Sequence, residues 1–154
     1  MSDSPSIASF DGAYEFLSNF YRTPVIFEGL VYPSVEHAFQ AAKTTSTARR
    51  VDFTDPRISC VSAKRAGRRL SLRPDWEDVK ADVMATCLRA KFARGSELAA
   101  RLIETQGLML VEGNTWHDNE WGSCSCGSAR CLAPGKNKLG AILMMVRWEL
   151  SGCP

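Results

Sequence analysis

The sequence predicts a mainly α fold of the α+β type: one compact multi-helical domain with a small β-hairpin or sheet. Three observations carry this. Residues 76–92 and 137–150 repeat apolar side chains at helical spacing. The stretch VIFEGLVYPS at 25–34 has two short apolar runs around Glu28 and Gly29, the pattern of a hairpin. The chain has 154 residues, 45% hydrophobic and 23% charged, which suits one ordinary globular domain with a real core rather than a disordered chain.

Taken in order, residues 1–9 read as a flexible tail and 10–154 as the domain. Pro33 ends the second strand of the hairpin because it brings no amide hydrogen to a ladder. Ser34 is placed to cap the next helix, VEHAFQAAK at 35–43, by accepting an otherwise unpaired amide hydrogen. SAKRAGRRL at 62–70 makes a short basic helix. Asp75 is the expected N-cap of a long helix running to about Phe92, with Trp76, Val79, Val83 and Ala90 at helical spacing, and Gly95 breaks the pattern. ELAARLIET at 97–105 is another helix, and LMLVEG at 108–113 is a short buried strand. Residues 113–136 carry Gly, Asn, Ser and Pro throughout and predict a long loop, which in a compact domain is usually functional or partly disordered. The last helix begins near Asn137 with Leu139, Ile142, Leu143, Val146 and Leu150 as its apolar stripe.

A formal net charge of +2 is too small to announce a nucleic-acid partner. Basic residues do concentrate at Arg49, Arg50, Arg57, Lys64, Arg65, Arg68, Arg69 and Arg73, as solvated helix faces or as the rim of an anionic-ligand site. No stretch reaches the roughly 20 apolar residues of a membrane span, and MSDSPSIASF lacks the basic and apolar regions of a secretory signal. The expected location is cytoplasmic, with no membrane partner, and there the six cysteines should mostly be thiols. Cys124, Cys126 and Cys131 read C-x-C-x4-C. Structural zinc sites commonly pair C-x2-4-C sets and need four ligands, and His117 precedes the run instead of following it, so no metal is expected.

Polar residues stand out in three places. Glu36, Gln40 and Lys43 share one helix face, which is either a solvated face or one wall of a site. FLSNFY at 16–21 sets Ser18 and Asn19 between aromatics. EGNTWHDNEWG at 112–122 brings Glu112, Asn114, His117, Asp118 and Trp121 into the long loop. Carboxamides beside aromatics suit a sugar or ring that is both stacked and hydrogen-bonded, although Trp116 and Trp121 equally suit anchoring of the loop in the core.

FLSNFY, EHAFQAAK, SAKRAGRRLSLRPDWEDVK, LVEGN, DNEWG and GKNKLGAILMMVR follow one another over about residues 10–150, and in this series the chain resembles the NADAR family, whose members include N-glycosidases acting on riboflavin-pathway intermediates. The resemblance implies the family's compact helical fold and cleavage of a bond between ribose C1 and nitrogen. The implied substrate is a phosphorylated ribosylamine or an ADP-ribosylated nucleobase, in the latter case with nucleic acid as carrier of the base. It implies no cofactor. The catalytic candidates are Glu36, Lys43 and Asp118. The substrate-binding candidates are Ser18, Asn19, Phe20, His37, Gln40, Arg69, Trp76, Glu112, Asn114, Trp121, Gly122 and Asn137. The segment SCSCGSARCLAPGKN departs from the family by its length and its cysteines, and bears on the pocket edge.

Cleaving a ribosyl C1–N bond builds positive charge at C1 and needs a proton on the leaving nitrogen, which is work for carboxylates. Two carboxylates in one cavity would hold one protonated. A desolvated lysine becomes a nucleophile that traps C1 as an imine. The resemblance suggests such a lysine-bound intermediate and places it at Lys43, with Lys64 and Lys80 in reserve. For a phosphate, Arg65, Arg68, Arg69 and Arg73 offer guanidinium forks, and GKNKLG offers helix N-terminal amides with Lys136 and Lys138. The competing functions are a non-catalytic NAD or ADP-ribose-binding module and a small zinc-stabilised nucleic-acid module.

Overall fold

The computed structural model describes residues 4–152. Its elements are β1 (Ser6–Ile7), β2 (Val25–Phe27), β3 (Leu30–Tyr32), α1 (Val35–Ala41), α2 (Thr47–Val51), α3 (Cys60–Gly67), α4 (Trp76–Lys91), α5 (Glu97–Glu104), β4 (Met109–Leu110), β5 (Gly113–Asn114), β6 (Ser123–Cys124) and α6 (Lys138–Leu150). Three 3-10 turns add Gly12–Leu17, Asp52–Thr54 and Ala129–Cys131. Helices dominate and each sheet has two strands, as the sequence predicts. No helix among the described residues is long and apolar enough to cross a membrane. The chain forms two compact units, Asn19–Ala93 and Met1–Ser18 with Arg94–Pro154.

In the unit Asn19–Ala93, β2 and β3 pair antiparallel with Phe27 opposite Leu30. Glu28 and Gly29 both take positive φ, 45° and 82°. That geometry matches the right-handed twist of the strands it joins, and the Arg50 guanidinium pairs with Glu28 to hold it. Strand alternation buries Val25 and Phe27 and exposes Ile26. Ser34 caps α1 as expected, its hydroxyl accepting the His37 amide at 3.2 Å. Every residue of α1 is buried. Its Ala38 and Ala41 let neighbouring backbones approach, and α3, α4 and β2 pack against it. From α4, Val83, Met84, Cys87 and Leu88 form the buried stripe. Each large apolar side chain buried here contributes about 1.5–3 kcal/mol. Asp75 does not cap α4 with its side chain. Its carboxylate instead takes the fork of Arg73, at 2.6 and 2.9 Å, because a bidentate guanidinium outcompetes a single amide. α2 is an addition to the elements expected from the sequence.

In the other unit, β1 runs parallel to β4, with Ile7 opposite Leu110. Of the tail expected over 1–9, residues 1–3 lie outside the described residues, while Ser6 and Ile7 form β1 and Ile7 is 4% exposed. Gly95, at φ 84°, ends the preceding helical stretch. α6 packs on α5 and β4, burying Leu139, Leu143 and Val146. Its Arg147 is buried and donates to the carbonyls of Thr105 at 2.7 Å and Leu108 at 3.0 Å, which satisfies acceptors left over at the end of α5. The predicted loop at 113–136 carries a parallel β5–β6 bridge and a 3-10 turn.

Candidate active site

Glu36 and Gln40 on α1 are not part of a solvated face. Glu36 is 6% exposed and Gln40 3%. Gln40 Nε2 donates to Glu36 Oε1 at 2.7 Å, one helical turn along. A buried carboxylate is costly unless hydrogen-bonded, and this contact supplies part of the compensation. Gln40 Oε1 is buried with no hydrogen-bond partner among the described residues, as is Asn19 Oδ1. The Asn19 carbonyl accepts the Glu36 amide at 3.1 Å, so the FLSNFY stretch is tied to the first turn of α1. The exposed ring of Phe20 lies under Lys64, whose Nζ is 6.0 Å from the ring centroid.

Lys43 follows α1 and is half-buried, with Nζ 6.0 Å from the centroid of Phe39. Burial holds its ammonium below the usual lysine range; Glu36 pulls it back up, and Lys64 and Arg68 push it down. Carboxylate and amine thus act on one another, as their helical register predicts. Gly67 backs this face. A Cβ there would stand 2.7 Å from Gln40 Cδ.

Two expected ligand contacts, His37 and Trp76, lie in the interior. His37 is fully buried. Its Nε2 faces the Ile58 carbonyl at 2.9 Å and must donate to it, and Nδ1 accepts from the Ser34 hydroxyl at 2.7 Å. Burial lowers its pKa and keeps the ring neutral, so it fastens α1 in place and has no nitrogen left for substrate. Trp76 is 5% exposed and packs on Phe39 with centroids 5.0 Å apart, as a core residue. Arg69 is exposed and lines a cavity of about 420 Å³ with Thr44, Arg49, Asp52, Phe53 and Leu70 among others. The cavity suits an anion but does not include Glu36 or Lys43 in its lining.

In the other unit, the loop candidates organise one another. Asn114 is buried; its Nδ2 donates to the Asp118 carbonyl at 2.7 Å and its Oδ1 accepts the Asp118 amide at 3.1 Å. Asp118 Oδ1 accepts the amides of Glu120 at 3.1 Å and Trp121 at 2.9 Å. Trp121 is half-buried and Gly122 buried, with the Glu112 carbonyl and the Asn114 carboxamide pressed where a side chain at 122 would go. Asn137, in the left-handed region at φ 50°, donates to the Leu110 carbonyl at 2.9 Å and accepts the Glu112 amide at 3.0 Å, so its carboxamide joins β4 to α6 and is not available to substrate. Ser18 and Glu112 are half-buried.

The expected anion donors are also corrected. The amides of Lys136, Asn137, Lys138 and Leu139 donate to the carbonyls of Asn119, Gly122, Glu120 and Trp121, so the start of α6 is filled by the chain's own loop. Lys136 and Lys138 both pair with Glu120 and hold its carboxyl down at about 2. Arg73 is taken by Asp75, and the reserve lysine Lys80 by Glu77.

The fold thus holds a hydrogen-bonded buried carboxylate and a desolvated lysine, and comparison with known proteins says to which family and enzyme class the chain belongs. The NADAR domain family model matches residues 8–151. The N-glycosidase YbiA of Escherichia coli is 39% identical over 140 residues, spanning 90% of this chain and 82% of its own. A riboflavin biosynthesis protein of Vibrio vulnificus is 34% identical over 91% of this chain but only 36% of its own length. The solution structure of E. coli YbiA superposes with a TM-score of 0.79 at 36% identity, covering 98% of this chain and 88% of that one. The chain belongs to the NADAR domain family. Within it, the relatives that match along most of their own length are N-glycosidases, and N-glycosidase is the enzyme class of this chain; neither the non-catalytic nor the nucleic-acid-binding alternative is favoured.

Proposed function

We propose that this N-glycosidase cleaves the bond between ribose C1 and an amine nitrogen in a phosphorylated ribosylamine of the riboflavin-intermediate type, with Lys43 as nucleophile and Glu36 as the charge partner of C1. The observation that carries the reading is a buried carboxylate on α1, fixed by Gln40, that acts on a desolvated lysine just past the end of that helix. The naming of longer relatives as riboflavin biosynthesis proteins supports the substrate class.

The chemistry balances as follows. The ribosylamine opens to its C1 imine. The unprotonated Lys43 amine adds to C1, and the substrate nitrogen takes a proton and leaves as the free amine. A C1–nitrogen bond to Lys43 has then replaced the one to the base. Water adds to this imine and releases the sugar phosphate as an aldehyde, restoring the lysine. Substrate and water thus become sugar phosphate and amine. Glu36 offsets the positive charge at C1 and relays protons between the two nitrogens and water. The exposed ring of Phe20 suits stacking on the substrate. Asp118 is a positioning residue within the loop of its own unit, since its carboxylate is engaged by the amides of Glu120 and Trp121. The phosphate falls to the exposed guanidinium groups of Arg65, Arg68 or Arg69 on the α3 side. The enzyme is placed in the cytoplasm, where its thiols stay reduced.

The test is a substrate panel of ribosylamine phosphates and ADP-ribosylated nucleobases, with the released base read by mass spectrometry. Release of the amine from a ribosylamine phosphate is the expected result. Turnover of the ADP-ribosylated bases alone would move the substrate class and keep the bond. Release from neither would refute the reading.

A further inference from the structure

The geometry points to a structural zinc site that the sequence spacing conceals, built from Cys124, Cys126, Cys131 and His117 Nδ1. The four ligand atoms all lie within 4.8 Å of one another. His117 Nδ1 is 3.4 Å from Cys131 Sγ and 3.3 Å from Cys126 Sγ. A tetrahedral ion with Zn–S of about 2.3 Å and Zn–N of about 2.0–2.1 Å sets its nitrogen and sulfur ligands about 3.5 Å apart. These groups therefore stand at the separation that one zinc ion requires.

The fold overcomes both objections raised by the spacing. The missing fourth ligand is His117 from upstream, whose backbone takes the left-handed conformation at φ 69°. The ligands then come from three places: the turn before Asn119, the β6 segment, and the 3-10 turn Ala129–Cys131. Each sulfur also has an N–H donor directed at it: the His117 amide on Cys124 at 3.3 Å, the Ser128 amide on Cys126 at 3.5 Å and Asn119 Nδ2 on Cys131 at 3.3 Å. Such donors stabilise the thiolate form that binds metal. All three thiols are free rather than paired as disulfides.

Four protein ligands fill a tetrahedral ion and leave no open position, so the site is structural and takes no part in bond cleavage. Its position sets its use. It clamps the segment 117–131, which contains Asp118, Trp121 and Gly122. Three thiolates and one imidazole favour zinc over calcium or magnesium, which take oxygen ligands.

The experiment uses the full chain, purified under thiol reductant without chelator and then given equimolar zinc. About one zinc per chain should survive desalting. Replacing zinc with cobalt should give the visible bands of a tetrahedral ion and near-ultraviolet thiolate charge transfer. C126S and C131S should each lose metal to a chelator that the wild type resists, and stripping the wild type should lower its melting temperature. Failure of the wild type to retain zinc, or a cobalt spectrum without thiolate charge transfer, overturns the site. Should the variants fail to fold, the wild-type zinc content and cobalt spectrum decide alone. None of these readouts involves turnover, so they stand or fall separately from the N-glycosidase assignment.

Discussion

Replacing Gly67 with alanine should reduce activity by displacing Gln40 from Glu36. The new Cβ would overlap Gln40 Oε1 and lie 2.7 Å from Gln40 Cδ and 3.0 Å from Gln40 Cβ. Non-bonded heavy atoms settle at about 3.5–4.0 Å, so the carboxamide must move by at least about 1 Å. The 2.7 Å hydrogen bond from Gln40 Nε2 to Glu36 then exceeds the normal limit of about 3.2 Å. A hydrogen bond to a charged group contributes about 1.5–3 kcal/mol. If that much orientation of Glu36 is lost in the transition state, kcat/KM falls by roughly 10- to 100-fold, at about 1.4 kcal/mol per decade. Stability should change less, since overpacking costs about 1–3 kcal/mol and alanine regains about 0.5–1 kcal/mol over glycine within a helix. The assay is kcat/KM beside melting temperature for Gly67→Ala, Gln40→Ala and the double variant. With Gln40 truncated to its Cβ, Gly67→Ala keeps only the 3.0 Å contact with that carbon and has no carboxamide to displace, so the double variant should stay close to Gln40→Ala in activity. An equal loss from Gly67→Ala in both backgrounds would sink the argument, and so would a Gly67→Ala enzyme within threefold of wild type.

Glu36→Gln keeps the shape of the side chain and removes its charge, and should lower the rate by roughly 10²–10⁴-fold with the circular dichroism spectrum unchanged; a rate within about threefold would remove Glu36 from the mechanism. Lys43 reacts only as free amine, so activity should rise with pH through a limb lying below the ordinary lysine range, in line with the downward pull of burial. Lys64→Met removes a positive neighbour, raises the Lys43 pKa and should carry that limb to higher pH; a limb that stays put argues against Lys43. Borohydride added during turnover should leave the sugar fragment on Lys43 by peptide mapping, whereas an adduct on Lys64 would keep the chemistry and change the lysine. Trp121 is half-buried in the loop that Asn114 and Asp118 organise, so Trp121→Ala should lower the melting temperature if the ring anchors that loop, and a melting temperature within about 1 °C of wild type would refute the anchoring role.

Local signals in the chain determined much of the architecture. The apolar spacing of 76–92 and 137–150, Ser34 before its helix, and Glu28 with Gly29 between two apolar runs each act within a few residues, and α4, α6, the α1 cap and the hairpin follow them. The order of short motifs likewise carried the family. Tertiary structure alone decided what each polar group does. Glu36, Gln40 and Lys43 share a face in any helix, but only the packing of α3 and α4 around α1 removes that face from water. The same burial turned His37 from a ligand contact into a fastening, because both ring nitrogens met partners that the sequence does not place beside it. The amides of GKNKLG and the carboxamide of Asn137 are bound by loop carbonyls, and Asp75 is bound by Arg73, through competition that spacing cannot show. Three cysteines at unpromising intervals meet a histidine because a left-handed residue and a 3-10 turn fold the loop back on itself. Helix period and capping depend on neighbours along the chain, whereas desolvation and ligand geometry depend on neighbours in space.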